Sequence, residues 1–468
     1  MNHFPKICVS LLTCALVLTS AVAQKKSKPV AKAPKTQPKA MAEKASTGNN
    51  PRVNYTEHKL KNGLRVVLVE EHSAPVISIA VNYNVGSRNE RQGRTGFAHL
   101  FEHMMFQGSQ NIGKSEHFIL IQNNGGTMNG TTNSDRTIYF EALPANQLDL
   151  ILFLEADRMK SLDISKENLL NQINAVQEER RLGLDNQPYG KGFEKFESAV
   201  YDNFAYKHSV IGSMEDLTAA SVDDVSQFFK TYYAPNNAVL ALVGDFDSKV
   251  ALKKIQEQFE AIPTQPAPPP VDVTEPEQKA ERRFVEEDAL AQIPALLIGY
   301  KANFFNTPDE EALEVLDSVL TGGRSSRLYQ KLVKDKQLVV QIQGGADTDH
   351  RGPSMFAFQA FVAPGKKTEE VEAAIYEEIA KLQNEPIADW ELEKAKNSFR
   401  ANYIRGKQSS MGIARAIAEA TVSYGSPKVL NEALSKMQAV TKEDVQRVAK
   451  KYFNANNRTV GLIVPAKK

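Results

Sequence analysis

Cysteine is nearly absent from this sequence. The 468 residues include only two cysteines, Cys8 and Cys14, and both lie in an apolar segment near the N-terminus. The rest of the chain can therefore form no disulfide and offers no thiolate to a metal, so any metal site there must use histidine and carboxylate ligands. A body without unpaired thiols also suits an oxidising compartment.

A strong charge imbalance is lacking as well, and long apolar runs are scarce. The formal net charge is +1, which gives no reason to expect nucleic acid as a partner. The one extended apolar run, residues 7–22, follows Lys6 and ends in Ala21-Val22-Ala23. It predicts a signal peptide over residues 1–23 that is cleaved on export to the periplasm or the medium. The alternative, an uncleaved anchor, is disfavoured because the run is short for a bilayer and lysines follow it.

Two segments are poor in large apolar side chains and divide the chain. Residues 24–50 are rich in lysine, proline and alanine, and they predict a disordered basic tether with at most weak attraction to an anionic membrane. Residues 263–280 begin with a run of prolines and predict a linker. The body therefore divides into an N-terminal lobe, residues 51–262, and a C-terminal lobe, residues 281–468.

The two lobes share a sequence pattern at an offset of 220 residues. Residues 217–237 (LTAASVDDVSQFFKTYYAPNN) match residues 437–457 (MQAVTKEDVQRVAKKYFNANN) in several identities. In each copy a hydroxyl residue, Ser221 or Thr441, stands three positions before an aspartate, as in a capping box that opens a helix. We expect a duplicated unit, α+β in class because strands and helices intermix irregularly, with the two lobes in a clamshell arrangement.

Histidine is scarce, yet two of the eight histidines stand in one short motif. His99, Glu102 and His103 form H-x-x-E-H, the inverse of the commoner zinc-peptidase motif. On a helix His99 and His103 lie on the same face, where two imidazoles can bind one zinc ion. Glu102 lies close enough to reach a metal-bound water. A helix with two surface histidines is the alternative that the five residues alone leave open.

A catalytic zinc site needs a third protein ligand. The helix predicted over residues 165–181 offers Glu178 and Glu179, which point about 100° apart, so at most one of them faces the site. Glu179 shares a face with Gln172 and Val176, at seven and three positions before it.

Several further segments carry a family resemblance. They are residues 85–88 (VGSR), 96–109 (GFAHLFEHMMFQGS), 125–129 (GGTMN), 156–159 (ADRM), 233–237 (YAPNN) and 243–245 (VGD). Together they resemble the pitrilysin/insulysin family of inverted zinc metallopeptidases, especially its short bacterial members related to mitochondrial processing peptidase. The resemblance extends from about residue 53 to the C-terminus and is densest in the first lobe.

The resemblance implies a zinc endopeptidase that hydrolyses unfolded peptides in an enclosed chamber. It implies one Zn²⁺ per chain on His99, His103 and Glu179, the last standing 76 residues beyond His103. Glu102 would be the general base, a role preferred to a third ligand because its side chain points differently from the histidines. Gln172 stands where the family has an acid and would contact a ligand, and Asn129 would contact an extended peptide or serve only as a turn residue.

The second lobe departs from the family pattern. Many active relatives carry an arginine and a tyrosine, seven residues apart, that contact the substrate backbone; the matching positions here are Val333 and Val340. This absence predicts a homologous partner subunit carrying the Arg/Tyr pair, or a homodimer. A non-catalytic peptide-binding or scaffold subunit is the alternative function. The lobe's one histidine, His350, excludes a second site of the H-x-x-E-H type.

Overall fold

The computed structural model describes residues 52–348 and 350–467. The predicted signal peptide and basic tether, residues 1–23 and 24–50, lie outside the described residues. Within the described part of the chain, no helix combines the length and the apolar character that a membrane crossing requires.

The first lobe is built on a six-stranded mixed sheet. Its strands are β1 (Thr56–Lys59), β2 (Arg65–Glu70), β3 (Val76–Tyr83), β4 (Thr127–Thr132), β5 (Thr137–Pro144) and β6 (Ala238–Gly244). Their order is β1-β2-β6-β3-β5-β4; β2 and β6 are parallel, and all other neighbours are antiparallel. The strand β4 therefore forms one edge of this sheet.

Nine α-helices surround that sheet or extend from it in the described residues. They are α1 (Phe97–Met104), α2 (Glu116–Asn123), α3 (Leu148–Lys160), α4 (Lys166–Arg180), α5 (Gly190–Val200), α6 (Phe204–Lys207), α7 (Met214–Thr218), α8 (Val222–Tyr232) and α9 (Ser248–Phe259). The helix α4 continues directly into a π-helical turn, Arg181–Asp185. Residues 263–280, the predicted linker, contain no helix or strand.

The second lobe repeats the plan with five strands. They are β7 (Arg282–Asp288), β8 (Ala295–Ala302), β9 (Val339–Ala346), β10 (Ser354–Val362) and β11 (Arg458–Pro465), in the order β7-β11-β8-β10-β9. The helices of this lobe in the described chain are α10 (Glu310–Leu320), α11 (Thr368–Asn384), α12 (Asp389–Gly406), α13 (Ser410–Ser423), α14 (Val429–Ala439) and α15 (Lys442–Tyr452). The α+β class and the two-lobe arrangement are confirmed.

The duplicated pattern occupies equivalent places in the two sheets. The helices α8 and α15 both begin at a capping box, in which Ser221 pairs with Asp224 and Thr441 with Asp444. Each is followed by a strand inside the sheet, β6 or β11, which runs parallel to one neighbour and antiparallel to the other. A shared local signal has thus produced the same helix-strand unit twice.

Each lobe also lends one helix to the sheet of the other lobe. Ala414, Ile417 and Ala418 of α13 pack on first-lobe strand residues such as Ala80 and Ala241. In the opposite direction, α5 of the first lobe packs on the second sheet. Its residues Phe196 and Val200 share a buried apolar cluster with second-lobe strand residues such as Leu297 and Ile463. Separating the lobes would expose both apolar faces to water, so this exchange holds them together.

The strand β3 is buried on both faces. Its alternating pattern is typical of a strand with one face in the core, yet every residue after Val76 is buried. The helix α13 covers the second face, and Ser78 is hydrogen-bonded to Ser410 of that helix, with 2.9 Å between the hydroxyl oxygens. A polar residue on this strand therefore finds its partner in the other lobe.

The lobes also meet at the tip of the β4–β5 hairpin. Asp135 is 1% exposed and lies 2.6 Å from Nη1 of Arg88. It also accepts hydrogen bonds from the backbone N–H of Arg351 in the second lobe, at 2.8 Å, and from the hydroxyl of Tyr206, at 3.1 Å. This buried carboxylate fixes the hairpin tip to both lobes.

Candidate active site

The helix α1, which carries the H-x-x-E-H motif, begins in a tightly constrained position. Gly96 precedes it with φ of 83°, and a Cβ there would lie 2.5 Å from the carbonyl oxygen of Ile211, so the position requires glycine. The buried carboxylate of Glu90 accepts hydrogen bonds from the N–H groups of Gly96, at 2.8 Å, and Ala98, at 2.7 Å. These hydrogen bonds satisfy N–H groups that have no partner within the helix, and the helix dipole stabilises a carboxylate at this end of α1.

The two motif histidines lie one turn apart on α1, and α4 crosses beside them. The Nε2 atoms of His99 and His103 lie 3.6 and 3.4 Å from Oε2 of Glu179. Ligands of a tetrahedral zinc ion with bonds of about 2.0–2.1 Å stand roughly 3.4 Å apart. Two imidazoles and one carboxylate therefore converge at the spacing that suits zinc.

Burial sets the charge of the first histidine. It lowers the pKa of His99 to about 4, with a further contribution from the charge of His103. His99 is therefore a neutral imidazole at neutral pH, the form that can donate a lone pair to a metal. The Nδ1 atom of His103 lies 3.3 Å from Oε1 of Gln172. When Nδ1 carries the ring proton it donates to this oxygen, and the lone pair of Nε2 then faces the proposed metal position.

The structure separates the two candidate glutamates on α4. Glu178 lies with its Oε2 3.1 Å from Nη1 of Arg181, and its side chain is 56% exposed. Glu179 faces the histidines. Its neighbour Arg180 is fixed by two hydrogen bonds of 2.8 Å to the carboxylate of Glu194, which holds this end of the helix in place.

Glu102, on the same helix α1, is not one of the three converging residues. It is 9% exposed, and burial raises the pKa of its carboxyl group. The hydroxyl of Thr132 on β4 donates a hydrogen bond to its Oε2 at 2.6 Å. Asn129, on the same edge strand, has an exposed side chain whose Oδ1 accepts a hydrogen bond from the N–H of Gly130 at 2.8 Å.

Sequence reasoning missed a second cluster of potential ligands. His117, Glu141 and Glu155 are all buried, and their ligand atoms lie within 4.8 Å of one another. Arg158, itself buried, forms an ion pair with Glu155 and lies 3.6 Å from Glu141, so a guanidinium already supplies the positive charge. The cluster is therefore a buried ion-pair network. The sequence signal that could have pointed to this cluster is Arg158, which lies in the segment ADRM, residues 156–159.

Comparisons with known proteins cover most of the chain. The profile of the family described as "Insulinase (Peptidase family M16)" matches residues 65–213, and that of "Peptidase M16 inactive domain" matches residues 219–399. The zinc protease PqqE of Helicobacter pylori is 32% identical over 87% of this chain and 92% of its own length.

The chain belongs to peptidase family M16.

Two further relatives support the M16 fold along the chain. The crystal structure of a protease from Helicobacter pylori matches with a TM-score of 0.84 at 31% identity, covering 88% of this chain and 100% of that one. A probable mitochondrial-processing peptidase subunit beta of Arabidopsis thaliana is 22% identical over 87% of this chain and 77% of its own length. The resemblance seen in the sequence is confirmed.

The M16 second lobe presents aliphatic side chains at the two positions noted in the sequence. Val333 packs on the core of that lobe, within the π-helical segment Tyr329–Asp335. Val340 lies on the edge strand β9 and is 55% exposed. Neither side chain can donate a hydrogen bond.

His350 is buried at the lobe interface, with Nε2 3.2 Å from the hydroxyl of Ser134.

Proposed function

We propose that this M16 chain is a zinc-dependent endopeptidase that hydrolyses unfolded peptides or small polypeptides. The observation that carries the proposal is the convergence of His99, His103 and Glu179 at distances of 3.4–3.6 Å, beside the buried Glu102. The names of the relatives, which include zinc proteases, favour the same chemistry.

Each residue has a proposed part in the reaction. His99, His103 and Glu179 would hold one Zn²⁺ per chain, and Gln172 would orient His103. Zinc, when bound, supplies a Lewis acid that polarises the scissile carbonyl and lowers the pKa of water. Glu102 accepts the proton of the attacking water and later delivers it to the leaving amine.

The edge strand β4 is the proposed docking line for substrate. Its outer backbone groups have no neighbouring strand in the six-stranded sheet, so an extended peptide can add to it by backbone hydrogen bonds. Asn129 lies on this strand and would contact that peptide. Backbone pairing requires an extended chain and reads little sequence, which favours unfolded substrates over folded ones.

We further propose that a second chain completes the substrate clamp. The side chains of Val333 and Val340 offer no hydrogen-bond donors to a substrate backbone. The exchanged helices α5 and α13 hold the two lobes together, so the lobes would not open and close around a peptide, and its enclosure would need another subunit. The partner would be a homologue with the Arg/Tyr pair, or a second copy of this chain. The name of one relative includes the word subunit, which favours the hypothesis of a second chain.

Purified chain with an internally quenched peptide provides the test. We expect slow cleavage of the peptide, which a zinc chelator abolishes and added zinc restores. A polypeptide substrate should be cleaved when it is unfolded and left intact when it is folded. Full-rate cleavage by the chain alone, with no gain from a homologous subunit, would refute the partner. The double variant Val333→Arg, Val340→Tyr should raise the rate of the single chain, and Val333→Arg, Val340→Phe is its control without the hydroxyl.

A second candidate is a non-catalytic peptide-binding or scaffold subunit. The aliphatic Val333 and Val340 favour it, whereas the intact set of His99, Glu102 and His103 opposes it. A zinc content near zero after purification in zinc-containing buffer, with peptide still bound, would support this candidate.

We also propose that the protein is exported from the cytoplasm. The predicted signal peptide, residues 1–23, and the basic tether after it would place the mature protein in the periplasm or the medium. Mass spectrometry of the protein from a periplasmic fraction should give an N-terminus at Gln24. The full-length mass in a membrane fraction would indicate an uncleaved anchor instead.

A further inference from the structure

The carboxylate of Glu102 depends on one side chain for its orientation. Thr132 Oγ1 lies 2.6 Å from Glu102 Oε2, a distance typical of a hydroxyl that donates to an ionised carboxylate. Among the described residues, Thr132 is the hydrogen-bond partner of this carboxylate. Because Glu102 is 9% exposed, bulk water offers little replacement for that bond.

The neighbouring glycine lets the carboxylate lie close to the strand β4. A Cβ at Gly130 would lie 3.1 Å from Glu102 Cγ and 3.2 Å from Oε1, so Glu102 packs directly against the backbone of β4. Gly130 leaves room for the carboxylate but has no polar side chain that could orient it. The hydroxyl two residues further along the strand is the group that does so.

The proton of Thr132 is available for this bond. Thr132 and Thr137 are paired across β4 and β5, and their hydroxyl oxygens lie 3.3 Å apart. Thr137 donates its own proton to the carbonyl oxygen of Val85 at 3.0 Å. An ionised carboxylate can only accept a hydrogen bond, and the contact of Thr132 with Glu102, at 2.6 Å, is shorter than its contact with Thr137, so Thr132 directs its single proton to Glu102.

The strand that carries Thr132 is itself fixed. The hairpin tip follows immediately, and Asp135 within it is held by Arg88 of the first lobe and Arg351 of the second. A β-branched side chain on a strand has few accessible χ1 rotamers, so a fixed backbone also fixes the hydroxyl. The donor therefore has a defined position relative to α1.

We propose that Thr132 is a positioning residue that holds the Glu102 carboxylate by Oε2 and leaves Oε1 to accept the proton of the attacking water. This inference rests on the proposed peptidase function. The contribution of Thr132 is the hydroxyl proton, whereas the shape and strand propensity of the residue are shared by valine.

Two substitutions separate the hydroxyl from the shape. Thr132→Val keeps the branched side chain and removes the donor, and Thr132→Ser keeps the donor. We expect Thr132→Val to lower kcat by about 10- to 100-fold, as for a lost hydrogen bond to a charged group, with KM and zinc content unchanged. Thr132→Ser should recover most of kcat. Thr56→Val, at an exposed threonine on the opposite edge strand β1, is the matched control and should match the wild type.

A crystal structure of the zinc-loaded Thr132→Val variant supplies a readout independent of activity. We expect the Glu102 carboxylate to leave its present position and adopt another rotamer. The inference is overturned if Glu102 does not move, if Thr132→Ser is as slow as Thr132→Val, or if KM changes in place of kcat. If the wild type binds no zinc and cleaves nothing, the proposed function fails, while the position of Glu102 in crystals of the wild type and the variant still decides the role of Thr132.

Discussion

Nε2 of His103 lies 3.4 Å from Oε2 of Glu179, although the two residues stand 76 positions apart in the chain. The packing of α1 against α4 creates this contact. Val176, one turn before Glu179, is fully buried in the first-lobe core together with Leu100 of α1. The geometry of the proposed zinc site is therefore a property of the helix pair.

Replacing the third proposed ligand should weaken zinc binding. Glu179→Gln removes the carboxylate charge but keeps the size of the side chain, and we expect zinc affinity to fall by at least about 100-fold, because even residues that only support a ligand contribute 10- to 100-fold. Competition with a chromophoric chelator measures the affinity. Glu178→Gln, the matched control on the same helix, should bind zinc like the wild type. Equal losses in both variants would contradict the assignment.

Removal of zinc should leave the fold intact. The site is held without a metal by the Glu90 contacts at the start of α1 and by the Arg180–Glu194 pair at the end of α4. Chelation is expected to abolish cleavage and to lower Tm only by the amount due to lost ligand binding, with an unchanged far-UV circular dichroism spectrum. Loss of that spectrum at 25 °C on chelation would show that zinc organises the lobe.

The interlobe carboxylate should contribute strongly to stability. Asp135→Asn removes a buried carboxylate and leaves the partly buried Arg88 and Arg351 without this counter-charge, and we expect the free energy of unfolding to fall by about 3–5 kcal/mol. Urea unfolding measures the change. Lys428→Gln removes one partner of an exposed ion pair with Glu432 and should alter the same quantity by less than about 1 kcal/mol. Similar effects in the two variants would contradict the proposed difference.

The second lobe contains an acid-sensitive contact. Burial alone would raise the pKa of Asp309, but hydrogen bonds from Lys451, Arg447 and Tyr452 outweigh it and lower the pKa to about 2. Because the folded-state pKa lies below the unfolded value, the contribution to stability is complete above about pH 4 and is lost as the pH falls towards 2. The stability difference between wild type and Asp309→Asn should therefore shrink between pH 5 and pH 3. A constant difference would contradict this linkage.

Local sequence signals predicted much of the fold. The helix expected over residues 165–181 is α4, Lys166–Arg180, and the duplicated pattern at Ser221 and Thr441 gave matching capped helices. Helix periodicity also limited the third ligand to one of two adjacent glutamates. These signals were readable because they act within one or two helical turns.

Contacts between distant segments were not predictable in this way. The burial of Ser78 depends on Ser410 of α13, more than 300 residues away, and the periodicity of β3 has no information about that helix. The hydrogen bond from Thr132 to Glu102 likewise joins a strand and a helix whose relative position only the packed lobe defines. The Arg158 network also escaped sequence reasoning, because its acids come from different elements.

The most direct test of the account compares zinc content and cleavage in the wild type and Glu102→Gln. The amide cannot accept a proton, yet the proposed ligands His99, His103 and Glu179 remain in place. We predict one zinc per chain in both proteins and a loss of kcat of at least about 100-fold in the variant, as expected for a missing general base. Cleavage by Glu102→Gln at the wild-type rate, or a wild-type chain that binds no zinc, would contradict the account.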